Sequence, residues 1–442
     1  MSDSLHERPL IEQAVRHALA AQPVADMHTH LYPPTFGTPV RSPSADYDPA
    51  GLMLWGIDEL LTYHYLIAEL FRVVPPERLT PDRFFAMTKE DQADLIWREL
   101  FIERSPLSEA CRGVLTTLSA LDLDTSDHNL EAFRTFFEEL DPDAYIDRVM
   151  KLAHVESITM TNNVFDDNER QRWLDNPSVG DDPRFDAVLR FDQLLCDFPA
   201  AAARLSEWGY PATAEPNDTT IAAVRRFLDD WLDRTKAIYA AASLPPDYRY
   251  PAPADQPHSP WHAGNRILTR AVLPTLRERR MPLALMIGSQ RGVNPALRDA
   301  GDMGFAADLR SLARLLLDHG GNKFLVTLLS RENQHELAVA ARKFGNLMPF
   351  GCWWFLNNPS IIEQITRLRV ELLGTSFIPQ HSDARVLDQL IYKWDHSRSI
   401  LAAVLTDKYA DLAATGWMVT AADIRRDVAR YLAGNFREFL TR

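Results

Sequence analysis

Two histidines one residue apart, His28 and His30 in Val24-Ala25-Asp26-Met27-His28-Thr29-His30, end a short apolar run and precede a proline-rich loop. In an extended strand residues i and i+2 point to the same side, roughly 7 Å apart along the chain, so both imidazoles can aim at one point. That arrangement suits a divalent cation; the alternative is two polar residues at a strand end. Far along the chain, Asp383 follows the apolar stretch 375–382, and Arg385 comes two residues later. In isolation a carboxylate beside a guanidinium reads as an ion pair. It becomes a third metal ligand if the fold brings the two regions together, since imidazole nitrogen and carboxylate oxygen suit zinc, manganese or iron.

The elements around these residues decide that question. Short apolar runs that read as buried strands recur at 23–30, 154–163, 187–192, 282–288, 323–330, 347–355 and 375–383, each ending in polar or charged residues. Amphipathic helical segments at 307–320, 335–345 and 361–374 separate the later ones, each with glycine at or near its end. Strand then helix, repeated, predicts an α/β fold with a parallel sheet, here a distorted (β/α)8 TIM-like barrel with helical insertions. First and last strands are neighbours in a closed barrel, so His28, His30 and Asp383 can share one ion at the C-terminal mouth. Two regions break the rhythm: 31–150 reads as a helical insertion after the first strand, and 198–262 as a second, running through the helical stretch 219–242 into a proline-rich connection.

The chain of 442 residues is read as one domain, 1–442, with 46% hydrophobic and 24% charged residues, ordinary for a folded core. A formal charge of −14 argues against a general nucleic-acid or anionic-membrane surface, so an anionic substrate needs its own arginines. Cys111, Cys196 and Cys352 form no paired motif, which fits a reducing compartment and argues against a disulfide framework or a thiolate zinc site. The charged N-terminus lacks a signal-peptide core, and no run approaches the roughly 18 apolar residues of a membrane span. A cytoplasmic protein is expected, and large insertions suit a homo-oligomer.

At this point the motifs, in their order along the chain, resemble one family: the uronate isomerase (glucuronate isomerase) branch of the amidohydrolase superfamily. The histidine pair and the aspartate-x-arginine of 383–385 carry the resemblance. So do "YHYL" at 63–66, "SITMTNN" and "VLRFDQLL" at two strand ends, the glycine-then-arginine loop "LMIGSQRGVN", and the tryptophan pair in "LMPFGCWWFLNN". The resemblance implies aldose to ketose conversion of a hexuronate, such as glucuronate to fructuronate or galacturonate to tagaturonate. It implies one divalent ion, zinc first with manganese or iron as alternatives, on His28, His30 and Asp383. His64 and Tyr65 would contact the sugar or its shuttled proton alongside Asp383 and Arg385. For the substrate carboxylate the choice is Arg190, then Arg385.

Three departures bear on substrate. Met286 stands where the family usually carries histidine, Asn162-Asn163 replaces an aspartate pair, and "LIYKWDHSR" replaces an arginine-histidine run after the last strand. Hydrolysis or decarboxylation of a related sugar acid, and a sugar-acid binder without turnover, are the rival readings; the middle strands lack the extra histidines that a hydrolase needs.

Other residues have a bland reading beside the sharp one. Adjacent strand residues face opposite ways, so of Trp353 and Trp354, both candidates for the sugar pocket, one is expected in the core. His381 is either a substrate contact or a histidine buried behind the ligands. Arg291 and the cluster Arg331-Glu332-Asn333 lie where loops enter the pocket or form salt bridges. His396 and Arg398 read as helix caps, and His258 and His262 as surface.

Overall fold

The computed structural model describes residues 4–255 and 259–442. Its main sheet has seven parallel strands: β1 (Val24–Thr29), β2 (Val155–Asn163), β3 (Phe185–Arg190), β4 (Tyr239–Leu244), β5 (Leu283–Ile287), β6 (Phe324–Leu328) and β7 (Leu347–Pro349), hydrogen-bonded in the order β7-β6-β5-β4-β3-β2-β1. Helices cover the outer face and side chains fill the inside, so nearly every strand residue is buried and the strands read as apolar runs rather than alternations.

The eighth position closes the barrel without a regular strand. The Ile378 amide donates to the Pro349 carbonyl at 3.1 Å, while on the other side the Asp383 amide donates to the His28 carbonyl at 3.1 Å and the His30 amide to Ala384 at 2.7 Å. Pro379 has no donor, and Asp383 takes a left-handed backbone (φ 50°), so a continuous ladder cannot form. This is the distortion of the expected (β/α)8 barrel, and it swings the segment 381–385 across the end of β1.

The second insertion is corrected. Strand β4 lies inside residues 198–262 and pairs with β3 at Val188–Arg190 and with all of β5. Its alanines continue the apolar spacing of the preceding helix, Asp218–Thr235, and alanine favours helix, which hid the strand. The helix ends because Lys236 adopts φ 52° and its amide caps back onto the Asp233 and Leu232 carbonyls. Sheet pairing on both sides then overrides propensity. His262 is also corrected, being half-buried on the helix Trp261–Ile267, whereas His258 lies outside the described residues.

Between β1 and β2 run several helices, among them His64–Val73, Lys89–Trp97, Glu109–Ala120 and Leu130–Glu138, the last three starting at a side-chain cap: Thr88, Ser108 and Asn129. The long helix Gln389–Ala414 anchors them. Just before it, the buried Asp388 carboxylate accepts from the Gly56 amide at 2.8 Å and from the Tyr145 hydroxyl, and burial pushes its pKa up to about 6. On that helix His396 is no cap, because it binds Glu109 at 2.5 Å and Thr116 at 3.1 Å on a neighbouring helix. Arg398 does cap, donating to the Gln22 and His154 carbonyls. Among the described residues no helix is long and apolar enough to cross a membrane, and the three cysteines are free.

Candidate active site

A cleft of about 900 Å³ opens at the C-terminal ends of the strands. His30, just past the end of β1, and Asp383, on the swung segment, reach its floor, and His28, on β1, is fully buried beneath them. Asp383 Oδ1 stands 3.5 Å from His28 Nε2 and 3.4 Å from His30 Nε2, too long for good hydrogen bonds. A tetrahedral site with ligand bonds of about 2.1 Å has edges of about 3.4 Å, which these two distances match, and all three ligand atoms lie within 4.8 Å of one another. Two further facts fit it: His28 Nδ1 is occupied by the Thr161 hydroxyl at 3.1 Å, leaving Nε2 to ligate, and both His28 Nε2 and Asp383 Oδ1 are buried without a hydrogen-bond partner.

The electrostatics agree. Burial pushes His30 down to about 4, which keeps its imidazole neutral and able to ligate at neutral pH. Burial alone would raise the Asp383 carboxyl, but the two imidazoles facing it outweigh that and hold it well below the usual carboxylate range. Behind this pair sits a buried charged layer not foreseen from the sequence. Lys393, on the long helix, donates to the Ser382 carbonyl at 2.6 Å and the Asp383 carbonyl at 3.4 Å, and burial lowers it to about 8. Asp26 accepts from the Ser382 amide at 3.1 Å and the Trp394 indole at 2.8 Å. Thus the unfamiliar "LIYKWDHSR" run packs under the left-handed Asp383 and holds it.

Of the other expected site residues, His64, Arg190, Arg291, Trp353, Trp354 and Arg385 line the cleft, as do Met286 and Asn163. His64 rests against Tyr63 and Trp354, its Nε2 has no partner, and burial with Arg385 nearby lowers it to about 3. Arg190 is committed, with both Asp192 oxygens on its Nε at 3.0 Å and the Ser243 hydroxyl at 3.1 Å, whereas the Arg385 guanidinium is half exposed and among the described residues pairs with Asp299 alone, at 3.4 Å. Of the two guanidiniums, that of Arg385 is the more open. Arg291 pairs with Asp302 at 2.5 Å and lies 5.2 Å over the Trp354 ring.

Both tryptophans are buried core residues, as expected of at least one, and both also line the cleft, Trp354 opening a short 3-10 turn at φ 49°. Two expectations change. Tyr65 does not line the cleft; Tyr63 does, with Tyr65 packed behind it, ring centres 5.0 Å apart. His381 is fully buried outside the cleft, edge-on to His28 at 5.3 Å, and so makes no contact a substrate could share. The cluster 331–333 is structural, Asn333 tying down Ala307. Sequence reasoning also missed Tyr32 and Glu169. The Glu169 carboxylate accepts from Asn162 at 2.8 Å, the Asn163 amide at 2.9 Å and the Tyr32 hydroxyl at 3.0 Å, so the asparagine pair serves this cleft wall and not the metal position.

A parallel barrel with a nitrogen and oxygen cluster that could hold a metal ion at its C-terminal mouth places the chain in the class of barrel enzymes whose sites lie at the strand ends. No family model and no curated protein sequence matches the chain. Solved structures do: a uronate isomerase from Bacillus halodurans C-125 is 49% identical over 99% of this chain and 98% of that one, with a TM-score of 0.91. A uronate isomerase from Thermotoga maritima (14% identity, 98% and 97% covered, TM-score 0.76) and a glucuronate isomerase from Caulobacter crescentus (15%, 98% and 94%, 0.74) share the fold. The chain belongs to the uronate isomerase family, and its chemistry is that of an aldose-ketose isomerase.

Proposed function

We propose that this chain interconverts an aldohexuronate and the corresponding ketohexuronate, glucuronate with fructuronate or galacturonate with tagaturonate, in the cytoplasm and with zinc on His28, His30 and Asp383. The observation that carries the reading is the orphaned His28 Nε2 and Asp383 Oδ1 pair, buried at the base of a guanidinium-lined cleft that His30 and Asp383 line. When bound, a divalent ion polarises the sugar oxygen beside the carbon that loses its proton, lowering the cost of the enediolate by several kcal/mol.

The chain's own residues supply the rest. Arg385 takes the substrate carboxylate, its guanidinium being open where that of Arg190 is filled by Asp192. Neutral His64, with a free Nε2, takes and returns the proton on a sugar oxygen, and the ionised Asp383 carboxylate is the base for the carbon-bound proton. Tyr63, Trp353 and Trp354 wall the ring off from water. Met286 offers no proton and no hard ligand, which disfavours a hydrolytic site needing a further histidine on β5.

The test follows exchange at C2 in deuterated water by NMR, for glucuronate and galacturonate, with enzyme of quantified metal content. Wild type should wash in deuterium and form ketose, while His28→Ala and Asp383→Asn should fail at both and lose the metal. A wild type holding one ion per chain that exchanges nothing would overturn the substrate assignment.

A further inference from the structure

On the outside of the barrel a second cleft, of about 750 Å³, lies between the helices Asp167–Asp175 and Asp218–Thr235 and the turn after Phe198–Glu207. Its walls hold cations, carboxylates and aromatic rings together. The carboxylates are engaged, Asp181 with Lys236 at 2.5 Å, Asp233 with Arg279 at 2.7 Å, and Asp230 through one oxygen, Oδ2, which accepts the Tyr210 hydroxyl at 2.9 Å. Two of the cations are not. Arg170 lies 4.1 Å over the Trp208 ring and 5.9 Å from the Trp231 ring, makes no ion pair among the described residues, and its buried Nε has no hydrogen-bond partner. Arg234 lies 5.5 Å from the same Trp231 ring and among the described residues has one hydrogen bond, to the Trp173 carbonyl at 3.3 Å.

Like-charged guanidiniums do not gather without a reason, since each repels the others and a desolvated donor left unpaired is costly. Burial, with Arg204 and Arg234 close by, lowers the Arg170 pKa against the opposing charge of Asp167. The neighbouring groups narrow the anion: Asp230 and Tyr210 offer acceptors for hydroxyl groups, and the half-buried Trp208 offers apolar surface to a ring or carbon chain.

We propose that this cleft is a second binding site, separate from the catalytic cleft, for a polyhydroxylated carboxylate, whose carboxylate is held by Arg170 and Arg234 and whose hydroxyls are held by Asp230 and Tyr210. The two clefts share the helix Asp167–Asp175, with Glu169 facing one and Arg170 the other.

The test is calorimetric titration of the full-length enzyme with D-glucarate, which has no aldehyde or ketone to isomerise, so the result stands apart from the assignment of the reaction. A binding event should weaken at least tenfold in Arg170→Met and in Arg234→Met, persist in Arg385→Met, and leave uronate turnover by the first two variants unchanged. Arg234 is exposed, so its variant keeps the question open to test even if Arg170→Met fails to fold. Titrations that are identical in wild type, Arg170→Met and Arg234→Met overturn the site. Displacement by inorganic phosphate as effective as by glucarate overturns the sugar-acid class and leaves a simple oxyanion site.

Discussion

Replacing Glu169 with glutamine should change how stability depends on pH. Burial pushes the Glu169 carboxyl up to about 7 from an ordinary 4.5, against the opposing donors Asn162, Asn163 and Tyr32. A folded pKa above the unfolded one means that between these values the native state keeps a proton that the unfolded chain has released. The group's contribution is then fully present below about 4.5 and lost by about 7 and above. At 1.36 kcal/mol per pH unit the loss is about 3 kcal/mol. Glutamine has no proton to release, so Glu169→Gln lacks this slope. It also turns an amide toward one of three donors, which should make it the less stable protein at pH 4.5. Urea unfolding of metal-free wild type and variant at several pH values between 4.5 and 8 measures the gap. It should move by about 3 kcal/mol in the variant's favour as pH rises. Curves that run parallel would refute the buried, raised carboxyl.

Three further outcomes follow from the site. Lys393→Met removes the ammonium under Ser382 and Asp383, and metal affinity measured by competition with a chelator should fall roughly 10- to 100-fold; unchanged affinity would mean Asp383 holds its place unaided. Arg385→Met should lower kcat/KM by roughly 10- to 150-fold, the worth of about 1.5–3 kcal/mol for a charged hydrogen bond, while the melting temperature stays put; an unaltered kcat/KM would pass the carboxylate to another arginine. Gly351→Ala places a methyl 1.7 Å from His381 Nδ1 at a φ of 62°, so the protein should melt several degrees lower and hold less metal, and a wild-type melt would contradict the packing of His381 against β1.

Much of this site could be read without a structure wherever the rule is local. The period of a strand puts His28 and His30 on one side, and the alternation of apolar runs with amphipathic helices is a property of consecutive residues, so the barrel and its place of closure were legible. The carboxylate partner, Asp383, needed only the added knowledge that first and last strands meet. What stayed hidden depends on backbone that local pattern does not encode. Strand β4 is rich in alanine, a helix former, and became a strand because β3 and β5 offered it partners on both sides. Left-handed turns at Trp354 and Asp383 redirected side chains that alternation would have sent elsewhere. Between Tyr63 and Tyr65, at the start of one helix, only the docking of that helix selects which ring meets the cleft. Glu169, Tyr32, Lys393 and Asp26 come from separate elements, and their roles exist because closing the barrel removes water from around them. Chain-local geometry determined which residues could do chemistry here; desolvation and pairing across the closed barrel decided which of them do.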